Sequence, residues 1–368
     1  MNVERLHAIA LEVLDDIQKT NTVDTLKQLV DALQNQVNQP QAPEFQKQVS
    51  QHLQTLSKAL STAPSNDFSP AWRQVLQELG IHDLLGDSLH ARIQEIFERN
   101  QITPSVALDE LKGIHSQLTE YKAALDKLTS AFQQMEIGAE ELEPGQCEIG
   151  ILIPRKAIHN KLLDFVKDLE DLDRVFGTFS ELTTGKRPGF QIRSISSSDF
   201  SVFLDMWPVI AAGVAHAVER IVRTYKNMLE IRKLHGELKN RGVPYKQLQG
   251  ITSHANSIMK KEIEKLVKEL FDKYYVVKDE ARRNELTNEL RITLKKIANR
   301  IDKGYSVEVR VEPLTEEEEG VEGKPPSKDI EYIKAILSAS KGLEFLKLEG
   351  EPVLKLRESP GKKSNQKS

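Results

Sequence analysis

The sequence predicts a mainly α-helical protein with a small α+β core, and three observations predict it. Apolar residues recur at helical spacing through the first third of the 368-residue chain. From residue 147 onward, short β-branched runs alternate with long amphipathic segments. Charged residues make up 29% of the chain and aromatic residues 6%, which is typical of long, solvated helices. We expect an N-terminal helical bundle with a coiled-coil-like arm, a central short antiparallel sheet flanked by long helices, and a small C-terminal β element.

Length and cysteine content limit the class of protein. A chain of this length can form two or three units, each with its own apolar core. Cys147 is the only cysteine, so one chain can form neither a disulfide nor a cysteine-based zinc site. We therefore expect a reducing, cytoplasmic location. Residues 1–14 lack a continuous apolar stretch, so we expect no secretory signal there. The most apolar window, 202–218, contains Asp205 and Pro208 and is shorter than the roughly 20 residues that span a membrane, so we expect no membrane contact.

The first 62 residues predict a helical bundle segment. Three apolar stripes at helical spacing are separated by short, polar or proline-containing connections, which favours antiparallel packing. The stripes are Leu6, Ala10, Val13 and Ile17; Leu26, Leu29, Val30, Leu33 and Val37; and Phe45, Val49, Leu53, Leu56 and Leu60. A linker is predicted at 63–71.

A heptad helix is predicted at 109–136, within a helical arm spanning 72–146. Apolar residues alternate spacings of three and four without a break, as at the a and d positions of a coiled coil. This heptad seam consists of Leu111, Ile114, Leu118, Tyr121, Leu125, Leu128, Phe132 and Met135. Packing inside the chain's own bundle is the favoured interpretation, and self-association of two copies through the seam is the main alternative.

An α+β core is predicted at 147–244. The runs CEIGILIP, FQIRSI and FSVFLDM have the composition and alternation of strands, and a helix is predicted between the first two. Pro208 suits the first turn of a long helix that we expect to end near 242–244.

The remaining segments follow from the same patterns. The predicted order is long helices plus one strand at 245–312, an acidic loop at 313–326, a helix and hairpin at 327–358, and a disordered tail at 359–368. We place the hairpin turn at 349–352.

Charge is unevenly divided along the chain. Residues 208–310 carry 22 Lys and Arg against 13 Asp and Glu, whereas residues 1–146 carry 11 Lys and Arg against 21 Asp and Glu. This division favours docking between the two regions or a basic face for an acidic partner.

Two short segments are candidate binding sites. TTGKRPG at 183–189 lacks the earlier glycine and the following Ser or Thr of a phosphate-binding loop, so it does not predict nucleotide hydrolysis. Lys186 and Arg187 could still hold an anion, although a plain surface turn is favoured. In the segment around SSSD, Arg193, Ser197 and Asp199 could bind a ligand; a tight turn is again the favoured alternative.

Metal and nucleic-acid sites are weaker candidates. The nine histidines show no metal-ligand spacing, and we expect neither a metal nor a cofactor. The basic helices at 208–310 could bind nucleic acid without sequence preference, but acidic residues are interspersed and aromatic residues are few.

The leading hypothesis is a non-enzymatic scaffold or protein-interaction protein. Its coiled-coil-like helices would bind a second copy, as a homodimer, or another protein. Two alternatives remain: nonspecific nucleic-acid binding through 208–310, and an enzyme or small-ligand sensor with a site near 185–199. The residues favour the absence of enzymatic activity, because no nucleophile has an identifiable base beside it.

Overall fold

The computed structural model describes residues 3–196, 200–276, 280–314, 328–343, 346 and 348–358. It confirms the predicted fold class, because the described residues are mainly helical, with twelve α-helices and a small four-stranded antiparallel sheet. The chain divides into two compact units, Met1–Glu141 and Leu142–Ser368, and each has its own apolar core.

The first unit is a bundle of six helices. They are α1 (Val3–Thr20), α2 (Thr22–Asn38), α3 (Pro43–Ser61), α4 (Pro70–Leu79), α5 (Gly86–Arg99) and α6 (Pro104–Gln134). Asn21 adopts a left-handed conformation, with φ of 47°, and reverses the chain between α1 and α2. The hydroxyl of Ser69 caps α4 by accepting a hydrogen bond from the backbone N–H of Trp72. Local sequence therefore sets the helix boundaries, and the apolar stripes then pack against one another.

A four-stranded antiparallel sheet is central to the second unit. Its strands are β1 (Cys147–Ile153), β2 (Ile192–Ser196), β3 (Phe200–Met206) and β4 (Ser306–Val311), in the spatial order β2-β3-β1-β4. In the register, Ile149 lies opposite Leu204 on one side and Val309 on the other. These side chains belong to the apolar face of the sheet, as does Cys147, and burial raises the pKa of the Cys147 thiol to about 12.

The described residues of the second unit also form six helices. They are α7 (Leu162–Thr184), α8 (Pro208–Lys226), α9 (Leu229–Asn240), α10 (Tyr245–Tyr274), α11 (Glu280–Asp302) and α12 (Lys328–Gly342). α8 packs against α7, and Gly213 lies beside the ring of Phe179. Among the described residues, no helix is long and apolar enough to cross a membrane.

The structure differs from the sequence predictions in two elements. The helix that begins at Pro208 ends at Lys226 rather than near 242–244, and α9 follows after a turn closed by the Met228 N–H and the Tyr225 carbonyl. The turn places the Met228 side chain in the core. The predicted C-terminal hairpin is not formed by the described residues 348–358, which contain no strand. Most of the predicted acidic loop and the predicted disordered tail lie outside the described residues.

Candidate functional site

A groove of about 450 Å³ opens beside the sheet of the second unit, and we call it the Trp207 groove. Three separate chain segments form it. The described lining residues are Gly145, Gln146, Pro188, Gly189, Phe190, Gln191, Asp205, Met206, Trp207, Pro208 and Ile210. These segments precede β1, connect α7 to β2, and join β3 to α8, so the antiparallel sheet brings them together at one end.

The exposure of Trp207 follows from its place between a strand and a helix. β3 ends at Met206 and α8 begins at Pro208, so Trp207 keeps an extended backbone, with φ of −69° and ψ of 142°. The side chain is 61% exposed, whereas the preceding Met206 is buried in the core. Phe190 is fixed from behind by an edge-to-face contact with Phe176, with ring centroids 6.1 Å apart. The groove thus combines a supported aromatic wall with an exposed indole at its rim.

Asp205 supplies the negative charge of the groove. One of its oxygens, Oδ1, accepts hydrogen bonds from Arg193 Nη1 at 3.1 Å and from Gln146 Nε2 at 3.3 Å. Its backbone N–H donates to the Gln191 carbonyl, which ties the end of β3 to the chain entering β2. The Asp205 side chain remains 31% exposed. The carboxylate is therefore held in a fixed position while part of it still faces the groove.

Behind Asp205, the face of the sheet opposite the apolar core carries a cluster of charges. Glu148 and Glu308 are almost fully buried there, at 1% and 2% exposure. Arg193 Nε lies 3.8 Å from one oxygen of Glu148, and Arg310 Nη1 lies 3.6 Å from the other. Buried carboxylates require such cations nearby, because an uncompensated charge is costly away from water. Arg193 accordingly bridges Asp205 and Glu148 within the protein.

The structure describes three of the five residues that the sequence suggested as a site near 185–199, namely Lys186, Arg187 and Arg193. Arg187 donates hydrogen bonds to Glu181, at 2.5 Å, and to Glu289, so the chain's own carboxylates compensate its charge. Lys186 is exposed in the turn that follows α7. Neither residue is among those that line the Trp207 groove in the described part of the chain. Arg193 lies directly behind the groove, and Ser197 and Asp199 lie outside the described residues.

Sequence reasoning did not select the residues that shape the groove, above all Trp207, Asp205 and Gln146. One signal could have indicated Trp207. It is one of only two tryptophans in the chain and stands at a strand end, directly before the proline that begins a helix. Neither Gln146 nor Asp205 belongs to a motif, because their pairing depends on the sheet that brings them together.

The heptad seam lies inside the first unit. Leu111, Ile114 and Leu118 are at most 1% exposed, and Leu125 and Phe132 are each 7% exposed. Tyr121 and Leu128 are half-buried against the same core, and the Tyr121 hydroxyl donates to the Leu79 carbonyl at 3.1 Å. Met135 follows the last residue of α6 and is 59% exposed. Most of the contacts of α6 are with α1, α2 and α5 of the same unit.

Ion pairs compensate many of the charges on the basic helices. Arg220 binds Glu262, and Arg291 donates to Glu264 at 2.6 Å. His216 of α8 lies 3.3 Å from Glu269 of α10. No group of three or more potential metal-ligating side chains occurs among the described residues.

The fold and this site define a mainly α-helical protein with a groove at the end of a four-stranded antiparallel sheet. Comparisons of the chain with family models, with curated proteins and with solved structures found no match.

Proposed function

We propose that this chain is a non-enzymatic binding protein that holds a segment of another protein in the Trp207 groove. The observation that carries the proposal is the 61% exposure of Trp207 at the rim of a concave, partly aromatic surface. Tryptophan contributes more binding energy than most residues when a partner covers it, because it buries a large rigid area. Leaving such a side chain in water has no benefit for the stability of the isolated fold.

The composition of the groove favours binding over catalysis. Phe190, Trp207 and Pro208 provide apolar contact area, while Gln146, Gln191 and Asp205 provide a few polar groups, a combination typical of binding sites. Among the described lining residues, Asp205 is the only one with an ionisable side chain, so the groove lacks the paired acid and base that proton transfer requires.

The binding surface that we propose lies on the second unit and not on the helices of the first unit. The seam of α6 is buried against α1, α2 and α5, which leaves little of it for a second copy of the chain. The partner we propose is therefore a different protein, bound through an extended segment that fits an open groove. A cytoplasmic location is part of the proposal, because the chain has a single, buried cysteine.

Panning a phage-displayed library of random peptides against the full chain tests the proposal. We expect enriched peptides to bind the wild-type protein in solution and to lose about 30-fold in affinity with the Trp207→Ala variant, as expected for loss of a tryptophan hot spot. The matched control is Leu234→Ala, which removes another half-exposed apolar side chain, on α9, away from the groove lining.

The control variant should bind the same peptides as tightly as the wild-type protein. If enriched peptides bind Trp207→Ala and wild-type protein equally, or if no peptide is enriched, the groove is not a peptide-binding site. Circular dichroism of the three proteins checks that each remains folded.

A further inference from the structure

We infer that the Trp207 groove recognises a lysine or arginine side chain of the segment it binds, an inference that rests on the proposed function. The main observation is the charge of the residues that line the groove. Among the described lining residues, Asp205 is the only charged one, and its charge is negative. A basic side chain entering the groove therefore meets one carboxylate and, among the described lining residues, no cation.

The hydrogen bonds of Asp205 leave room for such a partner. Arg193 and Gln146 both donate to Oδ1, whereas no described residue donates to Oδ2. An ammonium or guanidinium group could donate to Oδ2 without displacing either existing bond. A hydrogen bond between two charged groups is stronger than one between neutral groups, especially where water is partly excluded.

Arg193 does not neutralise this carboxylate by itself, because it also lies near Glu148. Its guanidinium is therefore shared between two carboxylates, Asp205 and Glu148. A carboxylate that shares its cation in this way can attract a second cation from the groove.

Trp207 is placed to contribute to the same recognition. It follows Asp205 by two positions on extended backbone, and side chains two positions apart point to the same side of a strand. The indole can therefore flank a cation that reaches Asp205, and a cation over an indole face is attracted to its electron density. The methylene groups of the same basic side chain can pack against the apolar wall at Phe190.

The amino end of α8 also borders the groove, and helix amino ends often bind anions. Here few N–H groups are available for that role. Pro208, the first residue of α8, has no N–H, and the N–H groups of Ile210 and Ala211 donate to the Trp207 carbonyl. Asp205 would in addition repel an anion from this end of the groove. The local chemistry thus favours a cation.

Three blocked amino acids test the inference on the full chain: the N-acetyl N-methylamides of lysine, norleucine and glutamate. The readout is the indole N–H signal of Trp207 in two-dimensional ¹H–¹⁵N NMR spectra, assigned with the Trp207→Phe variant. Norleucine has nearly the shape of the lysine stem without its charge. We expect the lysine compound to shift the Trp207 signal and to bind about tenfold more tightly than the norleucine compound at low salt.

The Asp205→Asn variant is expected to bind the lysine and norleucine compounds equally, because the amide oxygen can still accept from Arg193 and Gln146 but carries no charge. The signal of Trp72, which is buried in the first unit, should not move. The comparison of lysine with norleucine uses the wild-type protein, so it decides the inference even if the variant fails to fold.

Equal binding of lysine and norleucine would overturn the inference, as would preferred binding of glutamate or no shift with any of the three compounds. These results are distinguishable from a failure of the proposed function. Peptides enriched by panning that depend on Trp207 but contain no basic residue would leave the groove a peptide-binding site and would remove only the basic specificity.

Discussion

Arg232 and Asp302 form an ion pair inside the second unit, with Nη1 2.8 Å from Oδ1 and side chains 5% and 1% exposed. The same guanidinium donates to the carbonyls of Glu349, at 2.8 Å, and Gly350, at 2.7 Å. The other oxygen of Asp302 accepts from the backbone N–H of Leu354 at 2.6 Å. One buried pair therefore joins α9, α11 and the segment that follows α12.

Replacing Asp302 by Ala is expected to destabilise the second unit by about 3–5 kcal/mol, because it leaves the Arg232 charge buried without its partner. Urea unfolding followed by circular dichroism measures the loss. Amide hydrogen exchange should also become faster in residues 349–358, since Asp302 and Arg232 bind their backbone groups.

The matched control for that variant is Arg223→Ala, which removes an ion pair with Glu219 within α8. The Arg223 side chain is 67% exposed, so its loss should cost less than about 1 kcal/mol. Similar stability of the Asp302→Ala and wild-type proteins would contradict the role assigned to the buried pair.

The heptad seam gives a second prediction. Leu118 is 1% exposed within the first unit, so Leu118→Ala is expected to cost about 2–5 kcal/mol of stability. Met135→Ala, at the exposed end of the seam, should change stability by less than about 0.5 kcal/mol. Thermal unfolding of both variants and of the wild-type protein measures these differences.

Burial of the seam by helices of its own unit also predicts that the unfolding temperature of the first unit does not depend on protein concentration. Light scattering should give the same mass for Leu118→Ala and wild-type protein. An unfolding temperature that rises with concentration, together with a smaller mass for the variant, would instead indicate that two copies associate through the seam.

The sequence predicted the helices and strands better than it predicted which of them pack against one another. The unbroken spacing from Leu111 to Phe132 indicated one continuous helix, and α6 is one, because helical periodicity is a local property. Which surface covers that helix depends on contacts with α1 and α2, many residues earlier in the chain. The same periodicity suits a bundle or a dimer, so the pattern left both alternatives open.

The site was less predictable because three distant segments form it. Residues 145–146, 188–191 and 205–210 meet only through the pairing of the strands, and none contains a recognised motif.

The C-terminal segment shows a related difficulty. Its alternating pattern predicted a hairpin, but several of its backbone groups bind the side chains of Arg232, Asn299 and Asp302 instead of a neighbouring strand. Such long-range polar contacts leave no periodic signal.

Acid sensitivity of the second unit is expected from Glu181. Its carboxylate accepts two hydrogen bonds from Arg282, at 2.5 and 2.7 Å, and one from Arg187, at 2.5 Å. The bonds from Arg282 are the main cause that lowers the pKa of Glu181 below its usual 4.5, and they outweigh the effect of partial burial. Because the folded protein holds this carboxylate charged more strongly than the unfolded chain does, Glu181 contributes stability above pH 4.5. That contribution is lost as the pH falls through the lowered pKa.

The Glu181→Gln variant is therefore expected to be less stable than the wild-type protein by about 1–3 kcal/mol near neutral pH, since it removes hydrogen bonds between charged groups. The difference should shrink steadily below pH 4.5, where protonation increasingly removes the same charge from the wild-type protein. The control is Glu289→Gln, because Glu289 binds Arg187 but is 41% exposed and should contribute less than about 1 kcal/mol. Urea unfolding between neutral pH and about pH 3 measures all three proteins. A difference between Glu181→Gln and wild-type protein that stays constant across this range would mean that Glu181 acts through its shape and neutral hydrogen bonds, and that its charge contributes nothing.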